Sequence, residues 1–166
     1  MQHDMMKPIR NMILKRKWDI RFLKMAEHIA QWSKDPSTKC GAVIVAPDRT
    51  VVSLGYNGFP RSMDDDEKLY INRDTKYQRI VHCEMNAVLS AYRNVKGCTL
   101  YTWPFLSCPR CAVHMIQAGI VRCVSCVLSD DKEDRWNEAI KESVKFFNEA
   151  GVEYHLYYPG ELNDRK

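Results

Sequence analysis

The chain contains no apolar run approaching the roughly 18 residues that a membrane-spanning helix needs, and no basic-then-apolar leader of the secretory kind. A membrane or secreted protein is therefore not expected, and a cytoplasmic one is. Glycine and proline are sparse at seven each in 166 residues, with no repeat and no low-complexity tract. That excludes solenoids, collagen-like rods and long disordered linkers. Neither sign of charge dominates: the net charge of +4 is too small to mark a nucleic-acid binder. Much of the surplus falls between Lys7 and Arg21, including Lys15, Arg16 and Lys17, and reads as a solvated helix face. What remains, 45% hydrophobic and 28% charged residues, describes one globular core of ordinary size. Seven cysteines, an odd number, fit reduced thiols, some of them on a metal, better than a disulfide scaffold.

Residues 1–17 lack clear periodicity and are expected to form an arm or a short helix. Phe22, Met25, Ala26, Ile29 and Ala30 recur at helical spacing, which predicts a helix from about Trp18 to Trp32, ended before Pro36. Cys40 to Ala46 and Thr50 to Tyr56 read as a hairpin. Gly55-Tyr56-Asn57-Gly58 then marks a turn or a close approach to a ligand. Residues 61–79 are polar, acidic at Asp64 to Glu67, and long enough that they should serve a site or carry a short helix. Helices are expected over Val81–Tyr92, Cys108–Ala118 (N-capped by Ser107) and Arg135–Ala150, and strands over Thr99–Thr102, Val121–Leu128 and Val152–Tyr157. Residues 159–166 read as a frayed tail. The order αββαβαβαβ implies right-handed β-α-β crossovers. The fold class is therefore α/β: a three-layer α/β/α sandwich on a five-stranded mixed sheet, with one domain over 18–158.

The chemistry concentrates in His82-Cys83-Glu84 and Cys108-Pro109-Arg110-Cys111. A catalytic zinc takes three protein ligands and keeps a fourth position for water. His82, Cys108 and Cys111 meet that count. Glu84 is left to move protons, and these H-x-E and C-x-x-C halves match a zinc deaminase signature. C-x-x-C at a helix start places both thiolates on one face, near the positive helix end. The bland alternative is a closed structural site that also uses Cys83. Residues 82 and 83 would project about 100° apart on a helix, which argues against it. Cys123-Val124-Ser125-Cys126 spells a second C-x-x-C, but on a strand its thiols should face opposite sides. Cys40 and Cys98 read as strand-start packing residues, His114 as surface or core edge, and Trp136 as either a core aromatic or a stacking platform.

Beyond these spacings, a longer run of blocks resembles the deoxycytidylate (dCMP) deaminases of the cytidine deaminase superfamily. It comprises Ser33 to Lys39, Gly41 to Val45, Gly55 to Gly58, the His82/Glu84 helix with Asn86-Ala87, the Cys108/Cys111 pair, and Gln117 to Ile120. The resemblance implies a cytidine deaminase-like fold and hydrolysis of dCMP to dUMP and ammonia in deoxypyrimidine nucleotide metabolism. It implies zinc on His82, Cys108 and Cys111, Glu84 as proton shuttle, and Asn57 against the deoxyribose. It also implies a homohexamer with a dCTP/dTTP effector site at Gly55, Tyr56 and Gly58, the triphosphate carrying Mg²⁺. Lys39 and Arg135 are the candidate phosphate cations, and Cys83 and Trp103 candidate pocket walls. Cys83 stands where the family has a small residue, and Ser107 where it has proline. The lengthened Trp103-to-Ser107 loop leaves the ring substituent open. Alternatives are a 5-modified dCMP, a cytosine nucleoside or a base in RNA as substrate, or a zinc-stabilised binding module without activity.

Overall fold

The computed structural model describes residues 2–127 and 133–163. Its centre is β1 (Gly41–Val45), buried at every position. β1 pairs antiparallel with β2 (Val51–Tyr56) on one side and β3 (Thr99–Trp103) on the other. β4 (Arg122–Cys126) and β5 (Glu153–Tyr157) continue the sheet in parallel, giving the order β2-β1-β3-β4-β5. The last three strands are thus parallel, as their intervening helices require. Predicted residue Leu128 lies outside the described residues.

Strand alternation divides the core in two. Ala42, Ile44, Leu100 and Cys123 face one side, against α4 (Cys83–Leu89), α5 (Pro109–Gln117) and α6 (Glu133–Ala150). Val43, Val45, Tyr101, Val124 and Cys126 face the other, against α1 (Gln2–Ala30). This is the expected three-layer sandwich. Leu23 and Phe147, both fully buried, anchor the two outer layers.

Two boundaries differ from expectation, and the 61–79 stretch agrees with it. Residues 2–17 are not a separate arm: α1 runs unbroken through Pro8. Methionine, leucine, lysine and arginine are good helix formers, and Arg10 to Lys17 are exposed. They carry no apolar period because they face solvent and not the core. Lys15 and Arg16 instead reach Glu153 and Glu161. Nor is the tail frayed at Pro159, because residues Pro159–Leu162 form a 3₁₀ turn closed by Glu161 Oε2 accepting from the Tyr158 amide at 2.8 Å. Leu162 inserts into the α1-side core. The 61–79 stretch holds two short helices, α2 (Lys68–Ile71) and α3 (Arg73–Arg79). Asn72 caps the second, its Oδ1 accepting from the Thr75 amide at 2.9 Å.

An ion pair that the sequence does not announce ties the layers together. Arg122 Nη1 and Nη2 each donate to an Asp19 oxygen at 2.7 Å, and the Tyr101 and Tyr157 hydroxyls donate at 2.8 and 2.9 Å. Asp19 is 1% exposed. Removing one partner of such a pair leaves an uncompensated buried charge, which costs about 3–5 kcal/mol.

Candidate active site

Two helix starts meet at one end of the sheet. Cys108 precedes Pro109, and a residue before proline is pushed into extended backbone. Cys108 (φ −65°, ψ 163°), rather than Ser107, is therefore the N-cap of α5. His82 is the extended N-cap of α4 (φ −69°, ψ 154°), so that helix starts two residues later than expected. Gly58 and Val81 form a β-bridge just before it, holding the 55–58 segment against the helix start.

His82 Nδ1 lies 3.5 Å from Cys108 Sγ and 3.4 Å from Cys111 Sγ. All three ligand atoms fall within 4.8 Å of one another. Zn–N and Zn–S bonds of about 2.0 and 2.3 Å at tetrahedral angles put nitrogen and sulfur about 3.5 Å apart. The donor set and its spacing therefore fit zinc. The Cys108 thiol is pushed down to about 4, first by the hydrogen bond from Cys111 and then by that from His82, while Cys111 is held well up by the same contact. His82 is raised, chiefly by Cys108. One thiolate thus sits beside a retained proton, and a divalent cation would displace that proton.

Cys83 is not a member of the cluster. Its Sγ lies 3.2 Å from Glu84 Oε2, and both side chains are buried. Glu84, His82, Cys108 and Cys83 line one cavity of about 240 Å³, together with Asn57, Cys40 and Trp103. Trp136 is a wall of it as well, stacked on Phe105 at 4.7 Å. Asn57 is held within the protein: Oδ1 accepts from the Cys40 amide at 2.7 Å, and Nδ2 donates to Thr38 O at 2.9 Å.

Other predicted residues sit elsewhere. Lys39 is exposed, donates to Ser33 O at 2.7 Å and is absent from the cavity wall. Sequence adjacency to the Pro36 turn does not carry its ammonium inward. The Arg135 side chain lies outside the described residues. Gly55 allows β2 to touch α4, since a Cβ there would meet Ala87 N and Cys83 O. Gly58 is buried, whereas Tyr56 is exposed and edge-on to Trp32 at 6.1 Å. His114 is exposed, and Cys98 is buried, as expected. Sequence reasoning missed Lys76, Arg73 and Asp35 in the cavity wall. The only signal toward the first two was the length of the 61–79 segment.

The family model for the cytidine and deoxycytidylate deaminase zinc-binding region matches residues 16–127. The chain belongs to that family. It is 42% identical over 137 residues to an uncharacterised deaminase of Aliivibrio fischeri, covering 82% of this chain and 91% of the relative. It is 37% identical over 148 residues to human deoxycytidylate deaminase, covering 86% and 80%. Among solved structures, the dCMP deaminase of cyanophage S-TIM5 in complex with dCMP and dUMP superposes with a TM-score of 0.61 at 21% identity, covering 82% of this chain and 93% of that one. At that identity the likeness speaks for the fold, and the five-stranded mixed sheet agrees with it.

Proposed function

We propose that this protein is a zinc-dependent deaminase converting dCMP and water to dUMP and ammonia. The observation that carries the reading is the His82–Cys108–Cys111 cluster on a cavity whose wall also holds the buried carboxylate of Glu84. The human relative, a deoxycytidylate deaminase, supports the choice of substrate.

His82, Cys108 and Cys111 would hold the zinc, which supplies activation of water as a nucleophile near neutral pH. Glu84 does the proton work. Its carboxylate takes a proton from the water as the oxygen bonds to C4, and delivers that proton to N3 of the pyrimidine. It then moves the second proton from the new C4 hydroxyl to the amine, so that the C–N bond breaks, ammonia leaves and the C4 carbonyl forms. The Cys83 S–H donates to Oε2 at 3.2 Å and so helps to hold the carboxylate in place. At 5% exposure Glu84 acts away from bulk water, where its interactions are stronger than at the surface. Trp103, Trp136 and Phe105 supply flat walls for the ring.

The finer reading is a cytoplasmic homohexamer with a dCTP/dTTP site at Gly55, Tyr56 and Gly58, the triphosphate carrying Mg²⁺. Its support is the exposed Tyr56 ring beside Trp32 at the sheet edge. Light scattering, and rates with and without each triphosphate, test it; curves unchanged by either triphosphate remove the effector site. The primary test is ammonia release from a panel of cytidine, deoxycytidine, dCMP, dCTP and 5-substituted dCMP. dCMP is expected to lead. Equal kcat/KM for dCMP and deoxycytidine would turn the protein into a nucleoside enzyme, and no release from any substrate would make it a binding module.

A further inference from the structure

We infer that Lys76 and Arg73, side by side on α3, bind the 5′-phosphate of the nucleotide and set the preference for a nucleoside monophosphate over the nucleoside; this rests on the dCMP reading above. Lysine is almost never fully buried unless it is paired. Lys76 is 8% exposed, and its Nζ lies 3.2 Å from Asp35 Oδ1, itself on a side chain that is 5% exposed. The partners are 41 positions apart in the chain, and both line the cavity that contains His82 and Glu84. A buried pair is weak support for stability, because desolvating two charges offsets most of their attraction. Its place in the cavity wall is the informative feature.

The donor inventory points the same way. An ammonium has three N–H donors. Asp35 takes one and Ser37 Oγ, at 3.3 Å, takes a second. The Tyr77 ring also lies 5.8 Å from Nζ, and a bound phosphate would take the remaining N–H. Asp35 does not reserve its whole charge for the lysine. Oδ1 also accepts from the Ser37 and Thr38 amides at 2.8 and 3.3 Å, and Oδ2 from Asn57 Nδ2 at 3.4 Å. Those bonds hold the carboxylate against the 35–38 loop, so it fixes the position of Lys76, and the surplus positive charge at this end of the cavity is that of Arg73.

Arg73 lies three residues before Lys76, hence on the same helix face, and it too lines the cavity. Its Nε donates to the Tyr77 hydroxyl at 2.8 Å, which orients the fork of the guanidinium. A planar fork beside a point-charge ammonium suits a tetrahedral dianion. The hydroxyls of Ser37 and Thr38 border the same space. Glu84 sits with the metal ligands, where the ring must react, so the substrate's anionic end belongs with the two cations.

The test is the ratio of kcat/KM for dCMP to that for deoxycytidine, in which any effect common to both substrates cancels. Charge-assisted hydrogen bonds lost from a bound anion predict roughly a 10- to 100-fold fall in this ratio for Arg73→Ala and Lys76→Gln, mostly through KM for dCMP. Lys76→Arg should recover part of it. Inorganic phosphate should inhibit wild-type dCMP turnover competitively and lose potency against Arg73→Ala, an exposed position where folding is not at stake. A ratio unchanged in both variants, with activity falling equally on both substrates, would make Lys76 and Asp35 a structural latch and overturn the inference. A wild-type ratio near one would instead defeat the dCMP reading, and this assignment with it.

Discussion

Cys108 and Cys111 open helix α5, whereas Cys123 and Cys126 lie along strand β4, so one four-residue spacing points its sulfurs in two different ways. On a helix, three residues advance about 300°, returning the second thiol to nearly the same face. On a strand the same step reverses the direction. The first pair accordingly meets His82. The second is split across the sheet, Cys123 against the α4–α6 layer and Cys126 against α1. Only one of the four thiols is made more acidic. Cys108 is pushed down to about 4 by its hydrogen-bonded neighbours, whereas Cys111 is held well up and desolvation pushes Cys126 up to about 12. A metal-binding spelling is thus a statement about secondary structure before it is one about metal.

The largest expected effect breaks the first pair. Cys108→Ser and Cys111→Ser should each lose zinc and nearly all deaminase activity, because two ligands no longer close the site. Cys123→Ser should keep about one zinc per chain. Metal analysis of the purified variants reads this directly, and zinc retained by Cys111→Ser would refute the ligand assignment.

Next in size is Glu84→Gln. It leaves the three ligands intact, so the metal should remain while kcat falls roughly 10²–10⁴-fold. Steady-state kinetics on zinc-loaded protein measure it. Loss of the metal would make Glu84 a ligand, which the geometry does not require.

Why these pairs were legible in the sequence, and other features were not, follows from distance along the chain. Each half of the zinc cluster is a local spacing, and alternation of apolar strands with helices was enough to predict where the halves converge. The short, largely apolar runs of β1 and β4 are similarly local. The Asp19–Arg122 pair spans 103 positions and the Asp35–Lys76 pair 41, so no window of sequence contains either. Lys39, a candidate phosphate cation by sequence, donates instead to Ser33 O. The early turns of α1 escaped for a different reason: a stretch such as 10–17, exposed and largely polar, has propensity but no period.

A smaller effect tests the second pair. Ser125 and Val124 hold β4 in the sheet without help from the thiols, so Cys123→Ser should fold and bind zinc normally. It places a hydroxyl in the core among Leu100, Met115 and Phe147, and Cys123 is 1% exposed. Protein mutational data put the cost of such a burial at about 1–3 kcal/mol. Urea unfolding of the wild type and the variant would show it as a lower midpoint with the same slope. An unchanged midpoint would mean that the hydroxyl finds a partner in the strand.

The smallest effect sharpens the contrast in acidity. The Cys126 thiol is raised in the fold from 9.0 to about 12, chiefly by desolvation. A group whose folded value is raised contributes stability that is fully present below its unfolded value and is lost as pH rises through the folded one. The window for Cys126 is therefore pH 9 to about 12. Desolvation also raises Tyr101 and Tyr157 from 10.0, adding losses of the same sign above pH 10. Denaturant midpoints should hold from pH 7.5 to 8.5 and fall progressively from pH 9 to 10.5. Cys126→Ala removes one contributor, so its midpoint should fall less steeply between pH 9 and 10, where the tyrosines are still protonated in both states. Parallel pH profiles for the two proteins would mean that the buried Cys126 thiol does not titrate with unfolding.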